Sequence, residues 1–225
     1  MVIRHAVRLA LYLVLLIFAV ALSEHSDWLL TAIWIFFAVQ MMFCIVPNKD
    51  IAIGARKHFA GSYDPGSDTK AVPNISHKGA AFCALGWFAI TVGMVITLHF
   101  LDMLTAQTVL IIALGYAVVD VIFILFFCPF RGFFMRNRCC ATCRIHNWDW
   151  LMKCAVLILF PSFFSVSLFA LSVVVLLRWE VSLWRNPHYF SPKTNQNLQC
   201  ATCVDKLCRL RIRKWGQRGQ DTHYK

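Results

Sequence analysis

The chain has 225 residues, of which 59% are hydrophobic and 15% charged, and its mean hydropathy is +0.63. That balance excludes a water-facing globule and a large soluble catalytic domain. Twenty-two Lys and Arg against 11 Asp and Glu give a net charge of +11, which in so apolar a chain reports topology and attraction to anionic lipid before nucleic acid.

The first apolar segment runs from about Ala6 to Leu22 and is interrupted by Arg8. Its charge-free part, Leu9 to Leu22, is short for a bilayer core of about 30 Å. Ala19, Val20 and Ala21 read as an A-x-A cleavage site, so a secretory signal peptide competes with a signal anchor. Either one leaves residues 23–27 outside and sends the second span inward. Trp28 to Val46 is that second span, and Ala80 to Leu98 is the third, with small residues that allow close helix approach. Leu104 to Cys128 is the fourth, closed by Pro129. Only His99 to Met103 separates the third from the fourth, which predicts an antiparallel hairpin. The loop from Pro47 to Gly79 carries Lys49, Arg56, Lys57, Lys70 and Lys78, and the loop from Pro129 to Asp149 carries Arg131, Arg136, Arg138 and Arg144. Both loops are therefore expected in the cytoplasm, and the sequon at Asn74 is expected to stay unused.

The fifth segment, Trp150 to Trp179, sets a conflict. Simple alternation would place the following 46 residues outside, yet they hold nine Lys or Arg. A continuous tilted helix kinked at Pro161 is one solution, at about 45 Å for about 30 residues. The other is a re-entrant hairpin that bends near Pro161 and Ser162 and returns to its own side, which requires a turn buried in protein. The same-side arrangement is the preferred expectation. The chain then reads as an all-α polytopic membrane helix bundle of four to five transmembrane segments. Residues 1–179 form the transmembrane domain, and residues 180–225 a basic, Cys-rich cytoplasmic tail of a protein of the inner or plasma membrane.

Cysteines supply the reason for that preference. The loop reads Cys139, Cys140, Ala141, Thr142, Cys143, and the tail reads Cys200, Ala201, Thr202, Cys203, with Cys208 beyond. Two residues between cysteines let both thiolates turn toward one ion, and two such knuckles complete a tetrahedral four-thiolate site. Neighbouring Arg136, Arg138, Arg144, Lys206 and Arg209 favour the thiolate form. Zinc would use four of the six, most naturally Cys140, Cys143, Cys200 and Cys203. An iron-sulfur cluster takes four as well, and would make the centre electron-transferring. Thiol-disulfide exchange through the two CxxC pairs is the enzymatic alternative. A reducing cytoplasm favours bound metal over permanent disulfides. The pairs are 56 residues apart, so their meeting is inferred from topology rather than from spacing. Cys44, Cys83 and Cys154, inside apolar spans, are most simply core residues, and Cys128 nearly so.

Histidine adds less. His146 is placed to replace a thiolate, while His5, His99 and His188 lie at or beyond segment ends, so a transmembrane haem pair lacks axial ligands. Asp120 is the one carboxylate clearly inside a span. It is a candidate for an ion or proton path in a small transporter, or a neutral acid bonded to Tyr116 or to a hydroxyl on a neighbouring helix. Gln40 and Gln107 are expected to bridge helices, and Lys153 to snorkel to the headgroups. The stretch Arg209 to Trp215 alternates basic and apolar residues, which points to anionic lipid headgroups as the partner and not to nucleic acid.

Overall fold

An apolar run in lipid has to satisfy its backbone hydrogen bonds within the segment, so length and hydropathy alone select the helix. The computed structural model describes residues 2–21, 27–46, 77–134, 143–191 and 193–199, and among these there is no strand. The helices are α1 (Val2–Ala21), α2 (Asp27–Ile45), α3 (His77–Phe100), α4 (Ala106–Leu125), the short α5 (Asp149–Cys154) and α6 (Phe163–Arg185). All except α5 are long and apolar enough to cross a membrane. At 19 to 24 residues and 1.5 Å per residue they span about 28–36 Å, the thickness of a bilayer core. Phe82, Leu85, Phe88 and Ile90 on α3 are each more than half exposed, an apolar surface that only lipid or another apolar partner would cover.

Side-chain bonds fix the antiparallel order. Gln107 Nε2 at the start of α4 donates to the carbonyl oxygen of Ala19 at the end of α1 (2.9 Å). We call that end of the bundle distal. At the opposite, proximal end, Trp150 Nε1 donates to Cys44 Sγ near the end of α2 (3.2 Å). Tyr12 Oη donates to Gln40 Oε1 between α1 and α2 (3.1 Å). Both glutamines thus bridge helices. The core lies where α1, α2, α4, α5 and α6 meet, around Tyr12, Phe37, Met41, Leu114, Cys154 and Trp179. α3 joins α4 distally through Leu101–Thr105, where Asp102 takes a left-handed φ of 52° and Thr105 caps α4 by accepting from Thr108 N–H. α3 packs mainly at its proximal end, against the turn Phe130–Phe134.

The fifth apolar segment is a hairpin. α5 continues as a tight helical turn over Ala155–Leu159, the chain breaks at Phe160–Ser162, and α6 runs back to Arg185, beyond the expected end at Trp179. Glu180 then bonds Arg144, Asn147 and Trp148, so both limbs begin and finish at the proximal end. Two details differ from the sequence-based expectation. The turn is exposed rather than buried, and α6, with 23 residues, is long enough for a full crossing rather than half of one. Phe160 and Pro161 line a cavity with Leu30, Ala106 and Leu110, near the distal starts of α2 and α4.

An exposed turn is tolerated because its polar groups are satisfied locally. Pro161 has no N–H to satisfy. Ser162 N–H donates to Ser165 Oγ (2.7 Å), Ser165 N–H donates to Ser162 Oγ (3.2 Å), and Ser165 Oγ donates to the Phe160 carbonyl (2.8 Å). This reciprocal cap makes a helix start without outside help. Replacing the N-cap by Ser162→Ala is expected to destabilise the folded protein by about 1 kcal/mol, read as a lower melting temperature in detergent. An unchanged melt would show that the cap does not hold the turn.

Candidate functional site

Two groups of residues carry chemistry at the proximal end. The first surrounds Asp120 on α4. It does not meet Tyr116, whose hydroxyl pairs with Thr91 Oγ1 on α3 (2.7 Å). Instead, Lys153 Nζ donates to Asp120 Oδ2 (2.7 Å) and to Asp149 Oδ2 (3.0 Å). The expectation that Lys153 snorkels to the headgroups is therefore corrected: it is only 2% exposed. The two carboxylates hold it because an unpaired charge in a low-dielectric interior is far costlier than a paired one.

Arg8 completes the set from α1. Its Nη2 donates to Tyr12 Oη (3.1 Å), and its guanidinium lies 5.4 Å from the Tyr12 ring centre and 5.7 Å from that of Trp150. Lys153 Nζ sits 4.5 Å from the Trp150 ring centre, so one indole serves two cations. Arg8 and Lys153 against Asp120 and Asp149 make a charge-balanced group drawn from α1, α4 and α5. Sequence reasoning missed three of its four members. Two signals were present: a single arginine interrupting an apolar run, and an Asp and a Lys spaced i,i+4 at positions 149 and 153.

Beside this group is a cavity of about 230 Å³ in the cleft between α3 and the α4–α5 face, with Trp87, Tyr116, Asp120, His146, Asp149 and Lys153 among its lining residues. His146 is thus placed next to the charged group.

The second group is the cysteines. Cys143 is buried beside Ala80 and Cys83 and covered by Phe130, Ile145 and Trp148. Cys139, Cys140, Cys200, Cys203 and Cys208 lie outside the described residues. Among the described residues, no cluster of three or more His, Cys, Asp or Glu is arranged to hold a metal ion. Cys83 and Cys154 are packed in the interior, and Cys44 accepts from Trp150, as core cysteines do.

What positions Cys143 is the clamp next to it in sequence. Glu180 on α6 accepts from Arg144 Nε (3.2 Å) and Nη2 (2.6 Å), Asn147 Nδ2 (3.0 Å) and Trp148 Nε1 (2.9 Å). The guanidinium also stacks on Trp148, 5.2 Å from its ring centre. A carboxylate receiving a two-pronged arginine and two further donors fixes the loop's exit against the final helix. After α6, Thr194 and Asn195 bond back to the carbonyls of His188 and Tyr189, which turns the chain before residue 200.

Comparison with protein-family models, with curated proteins and with solved structures returns no match.

Proposed function

We propose that this multi-pass membrane protein builds one cysteine-ligated centre at its proximal face, from the loop at 139–143 and the tail at 200–208. Cys139, Cys140, Cys143, Cys200, Cys203 and Cys208 are the candidate ligands, and four thiolates at once suit zinc or an iron-sulfur cluster. The observation that supports the reading is the Glu180 clamp. It returns the root of the tail to the loop that ends at Cys143, as a shared centre requires. With the basic loops inside, the face is cytoplasmic, the membrane is the inner or plasma membrane, and Arg209 to Trp215 rests on anionic headgroups. In this reading Asp120, neutralised internally by Lys153, is a fixed structural charge rather than a step on an ion path.

When bound, zinc would clamp tail to loop as a closed structural unit, and an iron-sulfur cluster would carry single electrons at the membrane face. The chain's own contribution is to bring two sulfur-bearing segments together and to surround them with cations that favour thiolate.

Metal analysis and an absorption spectrum of the purified protein test this. About one zinc per chain, or brown protein containing iron, is expected, and Cys143→Ser or Cys203→Ser is expected to remove most of it. Metal-free protein whose thiols titrate as redox pairs would replace the centre with a thiol-disulfide oxidoreductase using the two CxxC pairs.

A further inference from the structure

The cleft between α3 and α4 has features that a purely structural charge cluster does not need. Trp87 on α3 and Asp149 on α5 both line it. Each has a buried polar atom without a hydrogen-bond partner among the described residues, Trp87 Nε1 and Asp149 Oδ1. One is a donor and the other an acceptor. Leaving such groups unmatched is costly, so their occurrence on a single cavity calls for a molecule that supplies both an acceptor and a donor.

Three properties narrow its class. Asp120, Asp149 and Lys153 line it and Arg8 behind them balances the group, and aromatic and aliphatic side chains make most of the walls, Tyr116 and Phe123 among them. A net-charged headgroup would be desolvated there without compensation, which disfavours phosphate. Ile90, a lining residue, is 64% exposed on the apolar face of α3, so the mouth of the cleft reaches the surface that lipid covers. At about 230 Å³ the cavity is smaller than the roughly 300–1,000 Å³ of sites that enclose a drug-sized ligand. It has room for a single flat ring, with the rest of the molecule outside in lipid.

We propose that this cleft binds the headgroup of a neutral, lipid-soluble quinone in its reduced, quinol form. One ring hydroxyl oxygen accepts from Trp87 Nε1–H, and the other hydroxyl donates to Asp149 Oδ1. The ring lies among Tyr116 and Phe123, and the hydrophobic tail leaves past Ile90. Cys143 of the proposed centre also lines this cavity, but neither of the two hydrogen bonds uses it, and none of the other candidate ligands is among the lining residues.

The test is equilibrium binding of a short-chain ubiquinol, kept reduced under anaerobic conditions, to the full-length protein in lipid nanodiscs, with extraction and absorbance as the readout. Saturable binding of about one ubiquinol per chain is expected above the linear partition into protein-free discs. Trp87→Phe is expected to weaken it about fivefold, the value of one hydrogen bond near 1 kcal/mol. Ile90→Trp, placed on an exposed face where folding tolerates bulk, is expected to abolish the saturable component. Partition into lipid only, or saturable binding unchanged in both variants, overturns the proposal. Metal content is measured on the same preparations. Cys203→Ser is expected to lower it without affecting quinol binding, so the two sites fail or survive separately.

Discussion

Replacing Lys153 by Met is expected to destabilise the folded protein by about 3–5 kcal/mol, the cost of stranding a buried charge by removing its partner. Lys153 is the only described residue that bonds both Asp120 and Asp149, so its loss leaves two neighbouring carboxylates in an apolar interior. They can no longer be charged together without strong repulsion. The expected result is a large fall in melting temperature, or protein that elutes aggregated after detergent extraction. Asp120→Asn is expected to cost less, because Lys153 keeps Asp149 as counter-charge. The combination of Lys153→Met with Asp120→Asn and Asp149→Asn is expected to recover most of the loss, since a polar group without charge is cheaper to bury than an unpaired ion. A Lys153→Met protein that melts like the parent would show that the cluster holds nothing together.

The second large effect concerns the hairpin. Glu180→Leu removes an acceptor of four hydrogen bonds and leaves the Arg144 guanidinium facing apolar groups. Both partners retain some exposure, 19% for Arg144 and 25% for Glu180, so the expected cost is lower than at Lys153, on the order of 2–3 kcal/mol. The residues flanking Cys143 then lose their anchor on α6. Cys143, 1% exposed in the intact protein, is expected to react with a membrane-permeant maleimide roughly thirtyfold faster, the factor corresponding to about 2 kcal/mol of easier opening. Peptide mass spectrometry reads the modification at that residue. Metal content is expected to fall in the same variant if loop and tail share a centre, because the clamp is what brings their bases together. Unchanged Cys143 labelling would mean that the loop is held by something other than Glu180.

Legibility from sequence differed sharply between these features. The four early crossings could be read from runs of apolar residues bounded by polar ones, because lipid leaves the backbone no alternative to the helix. The break at Pro161 and Ser162 was visible as well, since Pro and a serine pair are a local signal for ending one helix and starting another. What the turn does in three dimensions was not visible. It was expected to need burial, yet Ser162 and Ser165 satisfy it in place, and α6 proves long enough to return across the whole bundle.

The candidate sites divide in the same way. The repeated CATC tetrapeptide and Asp120 stand out locally, as residue types that their surroundings do not explain. Lys153 was assigned to the headgroups because a lysine at the edge of an apolar segment has that option, and only the position of Asp120 and Asp149 decides against it. Arg8 looked like a flaw in a short hydrophobic stretch, and its purpose appears only when Tyr12 and Trp150 are beside it.

Composition and hydropathy by themselves determined that this protein is helical and lives in a bilayer, because burying backbone polar groups in hydrocarbon is a local requirement that each segment meets alone. Only the tertiary structure decided that the last apolar stretch doubles back, that α1, α4 and α5 pool two cations and two carboxylates, and that a cleft opens beside them. Those outcomes depend on contacts such as Lys153 with Asp120, 33 residues apart. A bond between distant residues forms only after packing has brought helices of no mutual sequence pattern side by side.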